Sequence, residues 1–215
     1  EKMQQIENYI YKVISKYNIP SNFMYMGMSL AGTRALKFTI FSQSDAAKYH
    51  YKPKAIVICD SPLDFVRFWR EGYKAKQLNF NEITANEGAW TSAYLETNLT
   101  GNPFTNLQAY LDYSPYAYIA PDKEKLSCFN NIHIKAYHEP DVNWWMETRR
   151  KDYYSMNSVD LAAFINELNI LGNANAELIT TQNKGYRPDG SRHPHSWAIV
   201  DVPGAVEWFN NIINK

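Results

Sequence analysis

Cysteine is scarce in this chain, with only Cys59 and Cys128 among 215 residues. Two thiols can form one disulfide at most, which excludes a disulfide scaffold and a zinc ribbon. Cys59 ends an apolar run and reads as a small buried hydrophobe. Charge of either sign is not in excess: 22 Lys and Arg balance 22 Asp and Glu, for a formal net charge of zero. Without a basic block, nothing electrostatic favours nucleic acid or an anionic membrane as partner. Long hydrophobic runs are also missing. The clearest, Ala55-Ile56-Val57-Ile58-Cys59, is five residues long, against the ~20 a membrane span needs. No H-E-x-x-H or similar pattern joins the five histidines to carboxylates, so neither a metal nor another cofactor is expected. The chain begins at Glu1 rather than Met and carries no signal peptide, which implies that something upstream has been removed.

What is present is ordinary globular usage, 45% apolar and 20% charged, at a length that suits a single domain over 1–215. Apolar residues recur at helical spacing over 3–17 through Ile6, Ile10, Val13 and Ile14. Phe23 to Met28 has strand length, and Leu30 to Phe41 is helical. Ala55 to Cys59 is the kind of β-branched run that a parallel strand buried on both faces requires. A helix opens near Pro62, and Ile132 to Tyr137 is a third strand. Val159 to Leu168 is a helix, and Glu177 to Thr181 a fourth strand. A polar loop over Gln182 to Pro194 leads to a last helix ending at Ile213. This alternation predicts a three-layer α/β/α fold with a mostly parallel sheet. Residues 72–127 interrupt it and are expected to form a lid insertion over the sheet's carboxyl edge, with short helices at best.

The segment that carries chemistry is Gly27-Met28-Ser29-Leu30-Ala31-Gly32. A strand passes into a helix through a tight turn with Ser29 at its tip. Small residues flank the serine, as close strand–helix approach demands, and the helix N-terminus beyond it presents backbone N–H groups to a developing oxyanion. An ordinary β-turn-α joint with a capping serine has the same outline. A nucleophilic serine also needs a base and an orienting carboxylate. Asp141, in His138-Glu139-Pro140-Asp141, follows the third strand. His195, in His193-Pro194-His195-Ser196-Trp197, follows the fourth. Both loops lie where open parallel sheets hold their ligands. His193 competes with His195 as base. Glu139, and less strongly Asp60 and Asp64, compete with Asp141 as acid. The bland role of Asp60 and Asp64 is helix capping. His50, His133 and His138 are read as structural or solvated, and Trp144-Trp145 as packing.

With these residues in place, the sequence resembles the α/β-hydrolase superfamily in its esterase-like branch. Gly27-Met28-Ser29-Leu30-Ala31-Gly32 resembles the nucleophile elbow, His195-Ser196-Trp197 the segment that bears the catalytic histidine, and Ser114-Pro115 the return from lid to sheet. The resemblance implies a serine hydrolase that cleaves a small-molecule ester or related acyl bond. Its triad would be Ser29, His195 and Asp141, and the backbone N–H of Leu30 would serve as an oxyanion donor. A peptidase of the same fold is a close variant, and a non-catalytic binding module on the same scaffold is the reading from another class. Two departures matter. The second glycine of G-x-S-x-G is Ala31, and one helix alone precedes the elbow strand. The raw sheet edge this leaves implies an N-terminal segment or a second chain that completes the sheet.

Overall fold

The computed structural model describes residues 2–215. Four parallel strands form one sheet in the order β1 (Met24–Met28), β2 (Ala55–Cys59), β3 (His133–His138) and β4 (Ala176–Thr180). The register is one-to-one, with Met28 opposite Cys59 and Cys59 opposite Tyr137, so the carboxyl ends finish level. Parallel neighbours require long crossovers, and helices supply them here. Every residue of β2 is buried, as its unbroken apolar run predicted.

Alternate residues of the strands feed two cores. One face, through Ile56, Ile58, Ile134 and Ala136, meets Leu36 of α2 (Leu30–Ser42) and Leu161, Phe164 and Leu168 of α7 (Asn157–Ile170). The opposite face, through Val57, Cys59 and Tyr137, meets Ala205 and Trp208 of α8 (Val202–Ile213). The result is the three-layer α/β/α architecture expected from the alternation. Helix α1 (Lys2–Tyr17) stands beside β1. Its buried Glu7 accepts the Lys48 and Tyr49 amides at 2.8 and 2.9 Å, and Tyr11 stacks on Tyr49. Among the described residues, β1 pairs with β2 alone and forms one edge of the sheet.

Residues 72–127 differ from expectation. In place of short helical stretches, α3 (Phe65–Leu78) and α4 (Glu82–Asn98) form a long antiparallel hairpin, followed by α5 (Leu107–Tyr113). α4 buries Thr84, Gly88, Thr91, Ser92 and Leu95. Four of those five are small or polar, so the usual apolar period is faint. Small residues serve here because the helices cross closely: a Cβ on Gly88 would collide with the Gly72 carbonyl oxygen. The hairpin ties to α6 (Val142–Arg149), which follows the carboxyl end of β3. Asn81 Nδ2 donates to the Thr148 carbonyl at 2.9 Å, and Arg149 pairs with Glu87 at 3.7 Å. No described helix is long and apolar enough to cross a membrane.

Candidate active site

Ser29 joins β1 to α2 with φ 54° and ψ −132°, a region that non-glycine residues avoid and that costs of order 1–3 kcal/mol. The surroundings impose it. The Ser29 N–H donates to the Cys59 carbonyl on the next strand at 2.8 Å, and its own carbonyl accepts from Gly32 and Thr33. Thr33 Oγ1 in turn donates to the Pro62 carbonyl at 2.6 Å. The Ser29 side chain makes no capping bond to α2, so the hydroxyl is not used as an ordinary helix cap.

The turn explains the small residues around it. A Cβ on Gly27 would lie 2.5 Å from the Gly32 nitrogen and 2.7 Å from the Ala31 carbonyl oxygen. One on Gly32 would strike Ser61 Oγ. Ala31, by contrast, is exposed, so its methyl meets no obstacle. The departure from G-x-S-x-G is therefore harmless: the close approach is made at Gly27 and Gly32. Gly27→Ala is expected to destabilise the fold by roughly 1–3 kcal/mol, as overpacking does, and to displace Ser29. Ala31→Gly should leave the thermal midpoint nearly unchanged. Thermal unfolding of the two variants side by side checks this.

Asp60 stands next to Ser29, directly after β2. It too has positive φ, 42°, which aspartate tolerates better than most residues. Its N–H donates to the Tyr137 carbonyl at 2.9 Å, and its carbonyl accepts from Asn157 Nδ2 at 2.9 Å. Behind it, buried Asp160 accepts the Leu63 and Asp64 amides and forms a two-point pair with Arg67, which fixes the β2–α3 loop. From this anchored position, Asp60 Oδ2 meets His195 Nδ1 at 2.6 Å. Burial disfavours the His195 cation, but the hydrogen bond and charge of Asp60 outweigh it and raise the ring above its ordinary value. Nδ1 is thereby the donor, and Nε2 is left as the basic nitrogen.

The structure joins His195 to Asp60 and not to Asp141, the carboxylate expected from the sequence. Asp141 does not reach His195. One of its oxygens caps α6 by accepting the Trp144 amide at 3.0 Å, and the other takes Arg192 at 2.7 Å. Glu139 is equally engaged. It accepts Thr181 Oγ1, the Lys184 and Gly185 amides, and Arg192. Burial opposes its charge, yet these donors hold its carboxyl below the usual range. Arg192 also donates to the Gly185 carbonyl at 2.6 Å. The two carboxylates and the arginine thus bolt down the loop that carries His195. A cavity of about 530 Å³ opens beside them.

The remaining candidates have partners of their own. Asp64 caps α3 through the Val66 and Arg67 amides. His193 gives its Nδ1 to the His195 carbonyl and lies against Trp144 and Trp145, ring centroids 4.9 and 6.0 Å away. The tryptophan pair therefore packs under the histidine loop. Buried His138 bonds Thr180 Oγ1 through Nε2 at 2.6 Å. Leu30 opens α2, where the first amides have no intrahelical partner. Among the described residues, no hydrogen bond closes between the Ser29 hydroxyl and the His195 ring. No group of three or more His, Cys, Asp or Glu among them is placed to hold a metal, and both cysteines are free.

No known protein family's sequence profile matches the chain, and no curated protein is significantly similar to it in sequence. A solved structure described as "Crystal structure of VinJ" aligns with 99% of this chain and 71% of its own, at 9% identity and a TM-score of 0.41.

Proposed function

We propose that the chain is a serine hydrolase of the α/β-hydrolase type that cleaves an ester or related acyl bond, with Asp60 in place of Asp141 as the acid. The observation that carries this reading is the conjunction at neighbouring strand ends: a strained, uncapped Ser29 beside an Asp60 already bonded to His195. An ordinary capping serine would use its hydroxyl on the helix, and Ser29 does not; the Asp60 bond leaves His195 Nε2 as the acceptor a nucleophilic serine requires.

In the mechanism, His195 Nε2 accepts the Ser29 proton as Oγ attacks the carbonyl carbon. Asp60 holds the tautomer and stabilises the imidazolium. The Leu30 amide, at the positive end of α2, donates to the oxyanion. His195 then protonates the leaving oxygen, and water, activated by the same ring, releases the acid from Ser29. The Ser29–His195 hydrogen bond forms when substrate enters, as catalytic hydrogen bonds often close only in the complex. The free edge of β1 supports a further strand, from this protein or a second chain, as a partner of the sheet.

The pH profile tests the proposal. His195 must be neutral to act, so kcat/KM for p-nitrophenyl acetate should rise with pH. Its midpoint should lie above the ordinary histidine value of ~6.5, because Asp60 favours the cation. Asp60→Asn should lower that midpoint. The same shift has a stability counterpart: the pair stabilises the fold fully below ~6.5, and that contribution is lost as pH rises through the raised value. A rate independent of pH from 5 to 9 would remove His195 from the mechanism.

A further inference from the structure

Two incompletely covered surfaces face each other at the β1 side of the sheet. The first is the apolar stripe of α1. Its pattern is amphipathic, yet Glu7 is the residue it buries, and Ile6 and Ile10, one turn apart, are only half-buried. The second is the outer edge of β1. Met24, Tyr25 and Met26 are likewise half-buried there, whereas every residue of β2 is buried. Phe23 turns its carbonyl towards Lys54 on the β2 side, and Ser29 turns its N–H towards Cys59. Direction alternates along a strand, so the backbone N–H and C=O groups of Met24 and Met26 point away from β2. No described residue beyond β1 bonds them.

Between the two surfaces lies a cavity of about 350 Å³. Ile6 and Ile10 form one wall, and Met24, Tyr25 and Met26 another. Ala31, Ala35 and Phe38, at steps of four and three, present one stripe of α2 as the third. From Ala31 to Phe38 the helix rises ~10 Å, the length of about three residues of extended chain. Two polar groups of the lining have no partner. The Tyr25 hydroxyl is buried without a hydrogen bond, a costly state for a polar atom. Arg34 is exposed and forms no ion pair with a described carboxylate. One turn on, Lys37 rests on the Tyr113 ring, 3.2 Å from its centroid. Burial, with the charges of Lys125, Lys2 and Arg34, pushes its amine down to about 8. This corner of the slot is therefore positive.

These features select the occupant. An alkyl chain would cover the apolar walls but leave the β1 backbone unpaired. A small polar molecule would leave Ile6, Ile10 and Phe38 uncovered. An extended peptide satisfies both: its main chain continues the ladder, and alternate side chains enter the apolar walls. We propose that the slot binds an extended segment of a partner protein, added as a strand along β1, with apolar residues at alternate positions and an acidic residue at Arg34. The inference needs α1, β1 and α2 alone and does not rest on the hydrolase reading.

The test titrates end-blocked hexapeptides into the chain and follows isotope-labelled methionine methyls by NMR, because Met24 and Met26 line the slot. The peptides alternate valine and threonine, with glutamate at each position in turn, and have lysine counterparts. A glutamate peptide should shift the Met24 and Met26 signals saturably, and its lysine counterpart should bind about ten-fold more weakly. N-methylation at alternate residues, in one of the two registers, should abolish binding by removing main-chain donors. Arg34→Glu should reverse the charge preference at an unchanged thermal midpoint, since the side chain is exposed. The inference fails if no peptide of the set binds, if both N-methylated registers bind like the parent, or if Arg34→Glu leaves the preference unchanged. Dodecanoate that shifts these signals where no peptide does would make the slot a fatty-chain site. A chain that sediments as a dimer, and as a monomer once Arg34→Glu is made, would give the slot to a second copy. Either result overturns the proposal. Turnover of p-nitrophenyl acetate is measured alongside: its absence counts against the hydrolase reading and leaves the peptide slot standing.

Discussion

Ser29→Ala should lower p-nitrophenyl acetate turnover by on the order of 10³ or more, because members of a triad act as a unit and removing one removes most of the rate. Its thermal midpoint should not fall. The hydroxyl makes no capping bond, so little packing or hydrogen bonding is lost, and alanine fits a turn whose close contacts are made at Gly27 and Gly32. Loss of rate at constant stability separates chemistry from folding. If Ser29→Ala retained the wild-type rate, the serine would be a turn residue only.

The second large effect distinguishes two carboxylates. Asp60→Asn should reduce kcat by roughly 10³–10⁴, since the amide can present its N–H to the ring and hold the wrong tautomer. Asp141→Asn should cost far less rate. Its oxygens serve the Trp144 amide and Arg192, not His195, and asparagine keeps the helix cap. What it gives up is half of the Arg192 clamp, so its effect should appear mainly in stability. Steady-state kinetics and thermal unfolding of both variants check the pair. The reverse ranking would restore Asp141 as the acid.

That exchange of carboxylates marks the limit of what could be read from residues alone. The strands, the layered architecture, the Ser29 turn and the His195 loop were legible because each rests on local signals. These are an apolar run, small residues at a turn, and a histidine loop after a strand. Choosing between Asp60 and Asp141 depended on where Arg192 goes, and the arginine is 51 residues from Asp141 in sequence. An arginine three residues before His195 was itself a signal that nearby carboxylates would be engaged. Asp60 had a further one, its place at the end of the strand adjoining Ser29. The α3–α4 hairpin was illegible for a different reason. Helices that cross at Gly72 and Gly88 bury small residues, and hydrophobic periodicity does not register them.

Labelling with a fluorophosphonate probe, followed by peptide mass mapping, tests the central claim most directly. Such a probe phosphonylates a serine only when a base activates it, whatever the natural substrate. The adduct is expected on the peptide that contains Ser29, should be absent from Ser29→Ala, and should form much more slowly in His195→Ala and Asp60→Asn. A chain that takes up no probe, or one that labels equally well as Ser29→Ala, would contradict the account.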